Sequence, residues 1–317
     1  MAAPTSTSPG WTAADIPDLS GRTAIVTGAN SGLGFVTASQ LAGHGASVTL
    51  AVRDPDRGEA AAERVRAAAP DAAVQVRALD LASLASVRAF AEAWAAENPA
   101  GLDLLVNNAG VMNIPKRATA DGFEMQFGTN HLGHFALTGL LLPSLLSRPG
   151  ARVVTVSSTL HRRGTMDFDD LMGEARYRPW AAYGQSKLAN LLFTSELQRR
   201  ADEAGRELLA LAAHPGYANT NLQTVGAEMR GSTLAHRLSR LANRWLAQPA
   251  EMGALPSLYA ATVPGLAGDT FIGPDGRGQQ RGHPRPVDRS VRAQNAADAR
   301  RLWQVTESLT GVAFDLG

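Results

Sequence analysis

Along the chain, short runs of apolar and β-branched residues alternate with longer stretches in which apolar positions recur every three or four residues. The short runs fall at 22–27, 47–52, 74–79, 102–107, 152–157 and 208–213, with a late one at 270–273, and they predict seven strands. The longer stretches lie at about 56–68, 83–97, 121–147, 180–203 and 249–261 and predict helices. A further helix opens at Leu33, and another helical segment lies near 289–309. Local signals sharpen some boundaries: Asp80-Leu81-Ala82-Ser83 reads as a strand end followed by a Ser N-cap, and Pro99 closes the helix before the fourth strand. Such alternation implies an α/β fold, a single doubly wound parallel sheet of about seven strands with helices on both faces. No repeat of solenoid period is present.

The first strand runs directly into Thr27-Gly28-Ala29-Asn30-Ser31-Gly32-Leu33-Gly34. A glycine loop placed where a strand turns into a helix offers an anion the free N–H groups of the first helical turn. Gly28 suits the tight turn, Gly32 lets a phosphate approach the backbone, and Gly34 lets helix and strand pack closely. The expected ligand is a dinucleotide pyrophosphate; the alternative is a glycine-rich turn without a ligand. An NAD site calls for a carboxylate at the end of the second strand, and by register that position is Val52. The next residue, Arg53, can instead pair with a 2′-phosphate, so NADP(H) is expected in preference to NAD(H), unless Arg53 is only solvated at a strand end. Asp80 and Leu81 end strand three, and Asn107-Asn108-Ala109-Gly110 ends strand four at the same sheet edge. Asp80 could accept from an adenine amino group or cap the following helix, and the Asn pair could be turn chemistry.

Composition narrows the classes. Thirty basic and 29 acidic residues leave a net charge of +1, which argues against a nucleic-acid or anionic-membrane surface and favours small-molecule chemistry. With no cysteine among the 317 residues, disulfides, thiolate catalysis and zinc–cysteine sites are excluded. Residues 1–20 are rich in Pro, Ser, Thr and Ala without the pattern of a signal peptide and are expected as a frayed, flexible arm. The longest apolar stretch, 135–146, is too short and too interrupted to span a bilayer, so a cytoplasmic protein is expected.

Candidate chemistry follows strand five. Ser157-Ser158 closes that strand, and Tyr183 and Lys187 stand at i and i+4 near the start of the next helix, on one face. A phenol is a poor base near neutral pH, and an ammonium beside it would favour the phenolate. A Tyr-x3-Lys pair alone is commonly a surface pair; its meaning here comes from the other motifs, which appear in one order.

With Thr27-Gly28-x3-Gly32-x-Gly34, Asn107-Asn108-Ala109-Gly110, Asn130, Ser158, Tyr183-x3-Lys187 and Pro215-Gly216 in sequence, residues 20–275 resemble the short-chain dehydrogenase/reductase family. The resemblance implies a Rossmann-type domain that transfers hydride between a nicotinamide and a carbonyl or alcohol. Tyr183 would then be the acid/base, Ser158 would hydrogen-bond the substrate oxygen, and Lys187 would lower the Tyr183 pKa and hold the nicotinamide ribose. Asn130 would hold a water relaying protons to Lys187, and Thr220, after Pro215 and Gly216, would reach the cofactor. Ser158 and Tyr183 are separated by an insertion that contains His161-Arg162-Arg163 and Asp167-Phe168-Asp169-Asp170-Leu171 and resembles the branch of retinol dehydrogenases and their bacterial relatives. That branch also tends to carry an Arg where Arg53 stands. No segment matches the membrane anchor of many of its members, so retinoids are not singled out. Protochlorophyllide reductases, another similar branch, rely on cysteines that this chain lacks.

The dinucleotide-binding catalytic domain is therefore expected over 21–275, with a substrate lid at about 217–248 and an extension over 276–317 whose helix covers either the active site or a neighbouring subunit. In the lid Leu234, Leu238, Leu241 and Trp245 recur at helical spacing between arginines. His131 and His134 lack a third ligand at a convincing spacing and read as helix packing or capping, so no metal is expected. The expected activity is NADP(H)-dependent interconversion of a lipophilic carbonyl and its alcohol, by a chain that could form a dimer or tetramer. The alternatives are a cofactor-binding sensor without turnover and a dehydratase or isomerase on the same scaffold.

Overall fold

The computed structural model describes residues 10–217 and 248–317. Its strands are β1 (Thr23–Thr27), β2 (Ser47–Val52), β3 (Val74–Ala78), β4 (Leu104–Asn107), β5 (Arg152–Val156), β6 (Leu209–Ala213), β7 (Phe271–Pro274) and β8 (Pro284–Pro286). They form one sheet in the order β3-β2-β1-β4-β5-β6-β7-β8. Pairings are parallel from β3 through β7, with Ala24 opposite Leu104 where the order reverses between β1 and β4. A reversal of this kind opens a crevice at the carboxyl ends of the strands.

Strand β8 was not expected. It runs antiparallel to β7 at the sheet edge and consists of Pro284-Arg285-Pro286. Proline cannot donate to a ladder, so a Pro-x-Pro strand is tolerable only at an edge and carries no hydrophobic pattern by which to find it.

Alternate residues of each strand feed two different layers. Ala24, Val26, Val48, Leu50, Leu104, Val106 and Val154 pack against helices α1 (Gly32–Gly43), α2 (Pro55–Ala68) and, further along the chain, Ala250–Thr262. Ile25, Leu105 and Val153 face the other side, where α3 (Leu84–Glu97), α4 (Gly133–Leu140) and α5 (Pro179–Glu203) lie. The helix Ala250–Thr262 is α6, and Ala296–Thr310 is α7.

The stretch expected as one helix over 121–147 is broken. Glu124 accepts the Gln126 and Phe127 N–H groups and opens a single turn, Met125–Phe127. A π-helical turn over Gly128–Leu132 follows, then α4, then a short helix Leu142–Leu146 carrying Pro143. A Cβ on Gly133 would collide with the Leu81 carbonyl, so glycine is what lets α4 approach the end of β3. The wide turn carries Asn130, and π turns of this kind often mark functional sites.

Both chain ends differ from expectation. Residues 10–20, assigned to a frayed arm, pack against the domain: Trp11 lies edge-on to Tyr259 at 5.2 Å, and Ile16 and Leu19 are buried. The 276–317 extension is built into the same body. It supplies β8, and α7 lays Trp303 among Phe135, Phe193 and Phe314, with ring centroids 4.6–5.9 Å apart. The last helix therefore covers the α4–α5 layer of its own chain. No helix of the described residues is long and apolar enough to cross a membrane.

Candidate active site

The loops after β1, β4 and β5 and the first half of α5 converge at the carboxyl edge of the sheet. Gly28 has φ of +66°, and a Cβ there would press on Ala109 at about 3 Å. A Cβ on Gly34 would stand 2.5 Å from both the Gly28 carbonyl and Asn108 Nδ2, so loop, helix and the β4 turn close on one another only without side chains. Around Gly32 there is open space. Ser31 occupies the N-cap of α1 without a side-chain cap bond, flanked by half-buried Asn30 and buried Leu33, and the first turn holds no acidic residue. Unclaimed N–H groups beside open space are what a pyrophosphate requires, so these residues fit a dinucleotide.

Thr27 ties that loop to the next. Its hydroxyl accepts the N–H groups of Asn108 and Ala109, both at 2.9 Å, while Asn108 Nδ2 donates to the Thr27 carbonyl at 2.8 Å. The same hydroxyl meets His134 Nε2 at 2.9 Å, and His134 Nδ1 faces the Asn130 carbonyl at 3.0 Å. A carbonyl accepts, so Nδ1 carries the proton and Nε2 accepts from Thr27. Burial keeps the His134 ring neutral, its pKa pulled down to about 4. Sequence reasoning read His134 as packing; its partner lies 107 positions away in the glycine loop, and no local pattern announces such a bond.

Asn107 is buried and donates to Thr138 at 3.0 Å. Gly110 stands close beneath Asn130 and Lys187; a Cβ there would lie 3.0 Å from Asn130 Oδ1 and 3.7 Å from Lys187 Nζ. The Asn130 amide grips Val111, accepting its N–H at 2.8 Å and donating to its carbonyl at 2.9 Å. Its remaining N–H goes to Ser186 at 2.9 Å. Both amide hydrogens are thus engaged in holding loop to helix, and only acceptor capacity is left for a water.

Ser157 and Ser158 have different partners. Ser157 is buried and donates to the Lys187 carbonyl at 2.8 Å, clamping β5 to α5. Ser158 lies beside the Tyr183 side chain, where it opposes the rise of the phenol's pKa. Lys187 Nζ donates to the Val156 carbonyl at 2.9 Å and lies 5.8 Å from the centre of the Tyr183 ring.

The electrostatics correct one expectation. Burial pushes Tyr183 up to about 12, against a smaller opposing effect of Ser158, and pulls Lys187 down to about 8. Desolvation of a nearly enclosed phenolate outweighs the attraction of an ammonium beyond its ring. Tyr183 therefore holds its proton at neutral pH, and Lys187 does not make it a ready base.

Arg53 follows β2, is exposed, and among the described residues has no ion-pair partner. Asp54 is instead the N-cap of α2, accepting the Arg57 N–H at 3.2 Å. Asp80 Oδ1 accepts the Ala82 N–H at 2.9 Å within the turn after β3, while Ser83 is the N-cap of α3, and neighbouring Leu81 is buried. Pro215 and half-buried Gly216 lie beyond β6, where Gly216 has φ of +65° and donates to His214 Nδ1 at 3.2 Å. Tyr217 and Gln248, which flank positions 218–247, hydrogen-bond each other at 2.9 Å. Thr220, the lid helix pattern and Trp245 lie outside the described residues.

Sequence reasoning missed Gln126. This buried amide accepts the Asn113 N–H at 2.6 Å and donates to the Tyr177 hydroxyl and the Pro179 carbonyl at 2.8 and 2.9 Å. It joins the loop after β4 to the insertion and to the start of α5, a long-range link without a spacing signal.

Fold and site together define a dinucleotide-binding oxidoreductase. Residues 22–230 match the short chain dehydrogenase family profile. The chain is 44% identical over 293 residues to human retinol dehydrogenase 13, covering 92% of this chain and 85% of that protein. It is 43% identical over 297 residues to mouse retinol dehydrogenase 11, covering 94% and 89%. A crystal structure of an uncharacterized protein from Mycobacterium paratuberculosis superimposes with a TM-score of 0.80 at 50% identity, over 96% of this chain and 99% of that one. A Beutenbergia cavernae protein described as a putative NAD(P)-dependent gluconate 5-dehydrogenase, with NADP bound at low occupancy, gives a TM-score of 0.58 at 28% identity over 77% and 91%. The chain belongs to the short-chain dehydrogenase/reductase family, whose members use a nicotinamide cofactor for carbonyl and alcohol oxidoreduction.

Proposed function

We propose that the protein is an NADP(H)-dependent carbonyl reductase or alcohol dehydrogenase acting on lipophilic substrates, with Tyr183 as acid/base. The observation that carries this reading is the meeting of Tyr183, Ser158 and Lys187 at the carboxyl edge of the sheet, beside the open glycine loop. A bound nicotinamide cofactor would supply or take up the hydride. Tyr183, held protonated by burial, donates its proton to the oxygen of the carbonyl being reduced. Ser158 presents its hydroxyl to the same oxygen and stabilises the negative charge that develops there. Lys187 spends one donor on Val156 and has two more for a ribose. In alcohol oxidation the proton returns to Tyr183, and the high pKa makes that direction harder near neutral pH.

Arg53 supports the preference for NADP(H): an exposed guanidinium, without an ion-pair partner among the described residues, stands where β2 ends in Val52 rather than in a carboxylate. Trp180 supports a lipophilic substrate. It is 52% exposed, and it lies three positions before Tyr183 on α5, on the same helical side. The identity to retinol dehydrogenases makes all-trans-retinal a rational probe among the carbonyls tried.

The test is NADPH and NADH consumption by the purified protein over a carbonyl panel that includes retinal, with Tyr183→Phe alongside. The expected result is faster turnover with NADPH, one alcohol formed per NADPH, and a kcat about a hundredfold or more lower in the variant with cofactor binding retained. Alcohol formation at that stoichiometry leaves no room for a dehydratase or isomerase. Full activity in Tyr183→Phe would remove Tyr183 from the mechanism, and cofactor binding without turnover of any carbonyl would favour a sensor.

A further inference from the structure

The C-terminal extension meets the loop that carries Ser158. Ser158 is the N-cap of a 3-10 turn, Thr159–Arg163, and its carbonyl accepts both the His161 N–H at 3.0 Å and His161 Nδ1 at 2.6 Å. Facing a carbonyl, Nδ1 must carry the ring proton, which leaves Nε2 as an acceptor. Nε2 receives the Ser290 N–H at 3.2 Å. The ring is fully buried and stands edge-on to Phe271 at 5.5 Å, so it cannot swing out to water.

Two further bonds join the same segments. Arg162 donates to the Asp288 carbonyl at 2.8 Å, and Arg292 donates to the Gly164 carbonyl at 3.0 Å. Arg289, between them, is anchored to Ser195 and Asp269 on the body of the domain at 2.6 and 2.7 Å. Segment 288–292 is therefore fixed to the domain and grips the 158–164 loop at three points. Only at His161 does the grip reach Ser158 itself. An imidazole of one tautomer is the group that donates on one side and accepts on the other in a rigid plane.

We propose that His161 is a positioning residue: through it the C-terminal segment 288–292 holds the Ser158 main chain and so sets the direction of the Ser158 hydroxyl. This rests on the reading of Ser158 as the group that binds the substrate oxygen. Variation in the extension is thereby transmitted to the catalytic hydroxyl without touching substrate or cofactor.

The experiment is a double-mutant cycle of His161→Ala and Ser158→Ala in the full chain, assayed by NADPH consumption with the carbonyl the wild type reduces fastest. Amide hydrogen exchange at Ser290 is followed in parallel. In the Ser158 background His161→Ala lowers kcat about tenfold, the scale of one lost positioning bond, and leaves the KM for NADPH within about twofold. In the Ser158→Ala background it has no further effect, and exchange at Ser290 accelerates. His161→Asn, which keeps a donor for the Ser158 carbonyl, recovers part of kcat. An equal loss in both backgrounds would show a merely structural histidine and overturn the proposal, as would unchanged kcat in His161→Ala. Should His161→Ala fail to fold, Arg292→Ala, which frees the segment at an exposed side chain, takes its place in the cycle with the same criteria. A wild type that reduces no carbonyl overturns the reductase reading and the catalytic half of this proposal together, whereas an active wild type with additive losses overturns this proposal alone.

Discussion

Acidification should unfold this protein in a pH range where carboxylates are still ionised. His131, His134, His161 and His214 are all buried, and burial pulls their pKa values down to about 3, 4, 4 and 3 from 6.5, with neighbouring charges adding to it. Each ring has hydrogen-bond partners that suit the neutral form. His214 Nδ1 accepts the Gly216 N–H and His161 Nε2 the Ser290 N–H, main-chain donors that cannot turn away from an added proton. The unfolded chain binds protons at 6.5 while the folded one does not, so the stability these groups contribute is complete above about pH 6.5 and falls as pH drops toward 4. Integrating that difference to pH 5 gives about 2 kcal/mol per histidine and about 8 kcal/mol for the four, against a usual total of about 5–15 kcal/mol.

Other groups do not mimic this window. In Asp103 the Thr23, Arg22 and Arg148 contacts outweigh burial and lower the pKa, as Arg199 and Arg200 do for Glu196, so both lose stability only at lower pH. Glu124, raised by burial, acts in the opposite sense. The assay is urea unfolding at about pH 7 and about pH 5 at fixed ionic strength, followed by the fluorescence of buried Trp94 and Trp303. His214→Gln should flatten the dependence by up to about 1.4 kcal/mol per pH unit, one proton's share. A stability unchanged between pH 7 and pH 5 would refute the reasoning, because it requires these rings to take up protons in place.

Gly34→Ala should destabilise the fold by about 1–3 kcal/mol and abolish NADPH binding, since its Cβ would enter the Gly28 carbonyl and Asn108; calorimetry with and without NADPH separates the two effects. Arg53→Ala should raise the KM for NADPH about tenfold or more and leave that for NADH nearly unchanged, and equal effects on both would remove the 2′-phosphate assignment. Carbonyl reduction should decline as pH rises through about 8, where Lys187 loses its charge, while Tyr183 stays protonated; a plateau to pH 10 would show that the Lys187 charge is dispensable.

The sequence by itself determined the parallel sheet, because buried strands and amphipathic helices are periodic over a few residues and leave that period in the chain. Seven strands were legible; the eighth was not, since Pro284 and Pro286 carry no hydrophobic pattern. Gly28 and Gly34 were legible from the strand-to-helix turn and the Tyr183–Lys187 pair from helix spacing, whereas Ser158 was picked out only through the family resemblance. The tertiary structure alone decided the rest. Whether Lys187 or burial governs Tyr183 depends on how many shells of protein replace water around the phenol, and spacing does not encode that. The bonds of His134 to Thr27, Gln126 to Pro179 and His161 to Ser290 join residues tens of positions apart. Such partners are chosen by the packing of whole layers, which brings together groups that no local pattern pairs.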